Sequence, residues 1–250
     1  MRPGAWSTLG SPAAAAALAR SGVARVVLDA QHGLWDESSV LAALAVLTGT
    51  APPGVEVLVR VPREDPAWAG RVLDAGADGV VVPLVEDAAA AGRAARACRY
   101  PPRGGRSWGQ LAPLWTGAVE DPARADARVR CVVMVESPGA LERVEEIAAV
   151  PGVDEVFVGP YDLALSLGTT HAELLAATAP GDPLPRVVAA CRAAGISAGA
   201  FGGAPEPARA LAQMGFDEVV VLVDATALAE GAAGAVRALG ADGSGGPVRR

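Results

Sequence analysis

Lysine is absent from this sequence, and all 21 of its basic residues are arginine. A Schiff base between a lysine and a carbonyl substrate or pyridoxal phosphate is therefore excluded. Histidine is also scarce: His32 and His171 are the only two, so a multi-histidine zinc site is excluded as well. Cys98, Cys131 and Cys191 lie far apart in apolar segments, and we expect buried free thiols rather than disulfides or a metal cluster.

Long apolar runs are missing too, since no uninterrupted stretch reaches the roughly eighteen residues that cross a membrane. The N-terminal segment MRPGAWSTLG lacks the basic region and apolar run of a signal peptide. We therefore expect a cytoplasmic protein with no membrane partner. The net charge of −7 is spread along the chain, which disfavours nucleic acid as a partner.

One unit recurs along the chain: an alanine-rich helix ends at glycine, and a β-branched strand begins two or three residues later. It appears as LARSGVARVVLDA, RVLDAGADGVVVPLV, CRAAGISAGAF and LAQMGFDEVVVLVD. Gly76 and Gly215 suit the left-handed position just past a helix. The strands are continuous apolar runs, typical of a parallel sheet covered on both faces.

Eight such strands alternating with helices predict an α/β fold, a closed (β/α)8 TIM barrel, with a doubly wound open sheet as the alternative. The length of 250 residues suits one barrel. We expect a single domain over residues 1–238 and a disordered tail over 239–250. The predicted strands are Ala5–Thr8, Val26–Asp29, Val57–Val61, Val80–Pro83, Cys131–Glu136, Glu155–Gly159, Ile196–Ala200 and Val219–Val223.

The helix predicted after Glu136 has clear start signals. Ser137 can cap it, and Pro138 suits its first turn. One apolar stripe should then face the core. Its members are Ala140, Leu141, Val144, Ile147 and Ala148.

Polar residues cluster at the predicted strand ends, where the active sites of parallel barrels lie. Glu136 and Asp162 follow consecutive strands, so they should be neighbours. Two carboxylates with open positions beside them suit a hard divalent cation. The alternative is that each carboxylate caps a helix, and we favour the cation because both lie at matching strand ends.

Arg60, flanked by valines, needs an anionic partner, which is either a structural carboxylate or a bound carboxylate or enolate. Asp29 could orient His32 as a base, although a loop histidine without a role is the simpler alternative. His171 lies in the first turn of a helix with a predicted Thr170–Glu173 capping box, which indicates a structural role.

The segment Gly105–Gly109 matches the G-x-S-x-G pattern of serine hydrolases around Ser107. That pattern requires a strand before it and a helix after it. Both flanking segments look like loops here, and only His171 follows in the sequence. We interpret the match as chance.

Several segments, in this order, resemble the HpcH/HpaI aldolases, metal-dependent pyruvate aldolases related to the citrate lyase β subunit. They are LDAQHGLWD, VRVPREDP, VLDAGADGVVVPLVEDAAAA, RYPPRGGRSWG, VVMVESPGAL, VDEVFVGPYDLALSLG and VVVLVD, which together cover nearly the whole chain. The resemblance implies a phosphoenolpyruvate/pyruvate-type barrel. It also implies cleavage of a 4-hydroxy-2-oxo acid to pyruvate and an aldehyde through a metal-stabilised enolate, with Mg²⁺, Mn²⁺ or Co²⁺ as cofactor.

The resemblance also implies residue roles. His32 matches the proton acceptor with Asp29 beside it, Arg60 the transition-state stabiliser, and Asp74 an acid that raises the basicity of the histidine. Glu136 and Asp162 match the metal ligands. The residues matched to substrate binding are Met134, Gly159, Pro160, Tyr161 and Asp162, with the backbone at Tyr161 and Asp162 receiving the carboxylate.

Asp74 is predicted before strand four, at the opposite end of its own barrel, so it could reach only a neighbouring subunit. This implies a homo-oligomer, a hexamer by family resemblance. Met134 stands where the family often has glutamine, and Gln31 where it usually has glutamate, which leaves the substrate open. A lyase acting on an acyl-CoA or 2-oxo-diacid, and a non-catalytic barrel that binds 2-oxo acids, remain as alternatives.

Overall fold

A computed structural model describes residues 1–241, and within them eight parallel strands close into a barrel in chain order. Each strand pairs with the next, and β1 closes the ring on β8. The closed TIM barrel is therefore confirmed over the open sheet. The strands are β1 Arg2–Ser7, β2 Arg25–Asp29, β3 Glu56–Arg60, β4 Gly79–Val82, β5 Arg130–Val135, β6 Glu155–Val158, β7 Ser197–Phe201 and β8 Glu218–Val223.

Helices lie between the strands on the outside of the barrel. Aspartate or serine side chains cap several of their first turns, as Asp87 does for α4 and Ser137 for α7. Gly76 and Gly215 take left-handed φ angles of 97° and 102°, as predicted. The helices are α1 Pro12–Ala19, α2 Glu37–Thr50, α3 Pro66–Asp74, α4 Ala88–Ala97, α5 Pro113–Thr116, α6 Pro122–Arg128, α7 Pro138–Glu142, α8 Val144–Ala148, α9 Pro160–Ser166, α10 His171–Ala176, α11 Pro183–Ala194, α12 Pro205–Met214 and α13 Asp224–Ala241.

The single helix predicted after Glu136 is in fact two short helices, α7 and α8, that meet at Arg143. The backbone N–H of Arg143 bonds to the carbonyls of Ala140 and Leu141, which tightens the turn and ends α7. The apolar stripe nevertheless remains continuous, because all five of its predicted members are buried. The spacing of the apolar residues is therefore sufficient to bury the stripe, even though the helix is interrupted at Arg143.

The barrel has two apolar layers, one between the strands and helices and one inside the ring. Bulky side chains fill the interior, as is usual for this fold. The interior cluster consists of Trp6, Val27, Leu58, Val81, Val132, Met134, Phe157 and Val220. This packed layer leaves only the strand ends available for a site.

A network of charges fills the barrel at the N-terminal ends of the strands. Arg25, which is 3% exposed, bonds to both carboxylate oxygens of the fully buried Glu155 at 2.9 Å. A Cβ at position 199 would collide with this carboxylate, so Gly199 makes room for it. The other members of the network are Arg2, Glu56, Arg130 and Glu218. Since each buried charge has a partner, the network closes this end without an isolated ion.

The final helix, α13, extends through Ala241, and residues 242–250 of the predicted tail lie outside the described residues. Nearly all of its side chains from 225 to 239 are exposed. Among the helices that the structure describes, none is long and apolar enough to cross a membrane.

Candidate active site

A cavity of about 190 Å³ opens at the C-terminal ends of the strands. It brings together eight of the predicted site residues: Asp29, His32, Arg60, Met134, Gly159, Pro160, Tyr161 and Asp162. Trp6, Thr8, Phe157, Phe201 and Val223 complete the lining, and the sequence analysis did not select them. Most of these residues lie at or just after the ends of strands, which was the only signal that they could line the cavity. In the sequence, however, an apolar residue at a strand end cannot be distinguished from one in the core.

Asp29 and Arg60 form a buried, two-point ion pair across β2 and β3. Arg60 Nε lies 2.8 Å from Asp29 Oδ1, and Arg60 Nη2 lies 2.6 Å from Asp29 Oδ2. Trp6 Nε1 donates a further bond to Oδ2 at 3.1 Å. Burial on its own would raise the pKa of Asp29, but the bonds and positive charge of Arg60 outweigh it and hold that pKa below 3.8. Asp29 is therefore a stable anion, and Arg60 has a structural partner.

Asp29 orients the loop that carries His32, and not the imidazole itself. Its Oδ1 accepts the backbone N–H groups of Gln31 at 3.0 Å and His32 at 3.1 Å. The expected bond from this carboxylate to the imidazole is not found in residues 1–241. The side chain of His32 is exposed at the cavity, where it can meet a ligand or water.

Arg60 has one edge left for a ligand. Its Nη1 faces the Met134 sulfur at 4.0 Å, which is a weak acceptor. Its guanidinium also lies over the Trp6 ring, 5.0 Å from the centroid, and this fixes its plane. A ligand oxygen near Nη1 would thus accept a hydrogen bond from a donor that is already oriented and has only a weak acceptor within the protein.

Glu136 and Asp162 converge on the space that a side chain at Gly159 would fill. A Cβ there would lie 3.0 Å from Glu136 Oε2 and 3.6 Å from Asp162 Oδ2. Neither carboxylate caps a helix: Ser137 caps α7, and Asp162 lies inside the first turn of α9, whose N-cap is Gly159 and which has no side-chain cap bond. This rules out the helix-cap alternative.

The pair suits a hard divalent cation. The pKa of Glu136 is raised, first by burial and also by the negative charge of Asp162. A bound cation would stabilise the ionised carboxylate and so oppose both effects. Among the described residues no group of three or more His, Cys, Asp and Glu side chains could hold a metal. Two carboxylates would therefore leave the other coordination positions to substrate and water.

Tyr161 forms the outer wall of the cavity, and His171 supports it. The two rings are stacked, with 3.9 Å between their centroids and an angle of 8° between their planes. His171 lies in α10, whose Thr170–Glu173 capping box is present as predicted. The contact with Tyr161 was not expected, and it gives this structural histidine a place beside the site.

Asp74 lies away from this cavity, at the end of α3 and close to the start of β4. Its Oδ1 pairs with Arg106 Nη2 at 2.7 Å, and it lines a separate groove beside α2. Burial raises its pKa despite the charge of Arg106. Within one subunit, then, Asp74 does not join the other predicted residues.

Ser107 is exposed in a segment with neither a strand before it nor a helix directly after it. The context that a nucleophilic serine of this pattern needs is therefore missing. The match is by chance, as expected.

The fold and the cavity define an α/β-barrel enzyme that presents Asp162, Arg60 and His32 to a small ligand, with the Glu136 carboxylate buried beside Gly159 at the edge of the cavity. The sequence model of the family described as HpcH/HpaI aldolase/citrate lyase matches residues 2–229. The chain belongs to this family. Its predicted enzyme class, a lyase of the aldolase type, is confirmed with it.

Relatives support the assignment across most of the chain. The hydroxypyruvate/pyruvate aldolase of Paraburkholderia phytofirmans is 37% identical over 231 residues, covering 88% of this chain and 86% of that protein. The 4-hydroxy-2-oxovalerate aldolase of Rhodococcus jostii is 39% identical over 198 residues, covering 77% and 75%. A crystal structure of a family member from Burkholderia cenocepacia superposes with a TM-score of 0.85 at 33% identity, covering 95% and 94%.

Proposed function

We propose that the protein cleaves a 4-hydroxy-2-oxo acid into pyruvate and an aldehyde with the help of a divalent metal ion. The observation that carries the proposal is the convergence of Glu136 and Asp162 on the space beside Gly159. Gly159 and Asp162 line the cavity that also holds Arg60 and His32. Relatives named as aldolases of this substrate class support it. The absence of lysine agrees, since no Schiff base can form.

Glu136 and Asp162 would hold the ion, and their oxygen ligands suit Mg²⁺, Mn²⁺ or Co²⁺. When bound, such an ion acts as a Lewis acid that withdraws charge from the substrate carbonyl. The backbone N–H groups of Tyr161 and Asp162, in the first turn of α9, have no partner within the helix. They are suited to receive the substrate carboxylate.

His32 takes the proton from the 4-hydroxyl group while the bond between C3 and C4 breaks. The electron pair of that bond moves toward the 2-oxo group, and the aldehyde leaves. Nη1 of Arg60 donates to the oxygen that gains negative charge, and Asp29 keeps the guanidinium in place. Protonation at C3 then gives pyruvate.

Replacing His32 with alanine should lower the rate of cleavage by about 10²- to 10⁴-fold, because a general base contributes that much. Its affinity for Mn²⁺ should not change, because His32 is not a ligand in this scheme. The measurement is pyruvate release from 4-hydroxy-2-oxo acids, followed with lactate dehydrogenase and NADH. A variant as fast as the wild type would refute the role of His32.

The same assay tests the function itself. A wild-type protein that binds 2-oxo acids but releases no pyruvate from any 4-hydroxy-2-oxo acid would favour the non-catalytic barrel. Activity only with acyl-CoA or 2-oxo-diacid substrates would favour the other lyase.

A cytoplasmic location belongs to this proposal, and the three free, buried cysteines suit a reducing compartment.

The protein should also form a homo-oligomer, with a hexamer expected from the family resemblance. Two observations support association: Asp74 lies away from its own cavity, and α13 exposes Leu228, Val236 and Leu239 to solvent by 67%, 69% and 82%. Light scattering at micromolar concentration should give a mass several times the 25.0 kDa of the chain. A monomer under these conditions would contradict the expectation.

A further inference from the structure

The loop after β4 contains a backbone conformation that its sequence does not explain. Leu84 has a φ of 56°, and it is the only residue other than glycine with a positive φ in the described part of the chain. A leucine is disfavoured there, because its Cβ crowds the backbone. Its side chain is 62% exposed, so burial of that side chain does not compensate for the strain.

The conformation serves a hydrogen bond. The backbone N–H of Leu84 donates to Glu136 Oε1 at 2.8 Å, a bond between a neutral donor and a carboxylate. The other oxygen of this carboxylate, Oε2, is the one that borders the space at Gly159 and faces Asp162. One oxygen is therefore held by the backbone, and the other is turned toward the proposed ion.

Neighbouring contacts tie this loop to the segment that carries Glu136. The N–H of Val85 bonds to the carbonyl of Met134 at 3.3 Å. Ser137 Oγ donates to Glu86 Oε2 at 2.7 Å. Leu84 thus lies between the end of β4, where Val82 pairs with Val133, and these two contacts, so the loop holds its N–H in place over the carboxylate.

We propose that Leu84 is a positioning residue for the metal site: its left-handed backbone fixes the orientation of the Glu136 carboxylate. The inference rests on the proposed metal site and adds a determinant of its affinity. Groups that orient a ligand commonly contribute about 10- to 100-fold to metal affinity. The role belongs to the backbone of Leu84, so it depends on which residues can adopt its φ and not on the isobutyl group.

The test compares substitutions that differ in how well they tolerate a positive φ. Leu84→Gly and Leu84→Asn accept this conformation and should bind Mn²⁺ as the wild type does. Leu84→Val is β-branched, resists it, and should raise the Kd for Mn²⁺ by about tenfold or more. The Kd is measured from free Mn²⁺ by electron paramagnetic resonance, without substrate.

Leu114→Val is the matched control, because Leu114 is also exposed but lies in α5 with an ordinary φ; its Kd should equal that of the wild type. Circular dichroism checks folding, and if Leu84→Val does not fold, Leu84→Thr gives the same comparison with a polar β-branched residue. Equal affinity in the wild type and the β-branched variant would overturn the inference alone. So would a loss in Leu84→Gly as large as that in Leu84→Val. A wild type that binds no Mn²⁺ would overturn the metal site and the inference together.

Discussion

Replacing Glu136 with glutamine is expected to lower the rate of aldol cleavage by about a thousandfold or more. A Lewis acid at the carbonyl contributes several kcal/mol, and each 1.4 kcal/mol is about a factor of ten in rate. The amide has the size of the carboxylate but no charge, so it binds a hard cation poorly. Asp162→Asn should behave in the same way, since both oxygens border the space at Gly159. Rates are compared at saturating substrate and ordinary Mn²⁺ concentrations.

Chelation should give the same result without any mutation. EDTA should abolish turnover, and added Mn²⁺ should restore it, because two side chains bind such an ion only moderately. Glu146→Gln is the control for charge removal, as Glu146 is exposed in α8 and lies outside the cavity; it should keep full activity. Full activity in metal-free protein, with the metal content confirmed, would remove the proposed mechanism.

Replacing Asp29 with asparagine is expected to lower the free energy of unfolding by about 3 to 5 kcal/mol, because it leaves the buried charge of Arg60 without its partner. Activity should fall as well, since Arg60 would no longer be held at the cavity. Urea denaturation followed by circular dichroism measures the first effect, and the pyruvate assay measures the second. The double variant Asp29→Leu/Arg60→Met should recover much of the stability but none of the activity.

The same pair predicts a dependence on pH. The pKa of Asp29 in the folded protein is below 3.8, so its ionised form stabilises the fold at every pH above that value. This stabilisation is lost as the pH falls through the lowered pKa. The difference in unfolding free energy between the wild type and Asp29→Asn should therefore be constant near pH 7 and shrink only in acid, below about pH 4. A difference that vanishes near neutral pH would contradict the ion pair as its source.

The sequence was sufficient to predict the barrel, because its signals are local and repeated. Continuous apolar strands such as Val219–Val223 and helix ends such as Gly215 recur at regular intervals, and parallel order follows from the alternation. Strand ends then share one rim, which is why Glu136 and Asp162 could be paired from the sequence. The predicted location of the site thus follows from topology alone.

Other features depend on contacts that no local pattern encodes. Asp29 looked like a partner for the imidazole of His32, yet both of its oxygens are occupied by Arg60, Trp6 and backbone N–H groups. Leu84 carries no sign of its left-handed backbone, because glycine and asparagine are the usual markers of that conformation. The break at Arg143 leaves the spacing of the stripe intact, so periodicity could not reveal it.

The charged network at the N-terminal end of the barrel determines where substrate can enter and products can leave. Since Arg25, Glu155 and their partners close that end, and apolar side chains fill the middle of the ring, the cavity of the described barrel opens on the side of the C-terminal strand ends. Substrate, water and both products must share this opening. In the proposed mechanism the 2-oxo acid end would be held at Glu136 and Asp162, so the aldehyde would form nearer the opening and obstruct the exit of pyruvate. Release should therefore be ordered, with the aldehyde leaving before pyruvate.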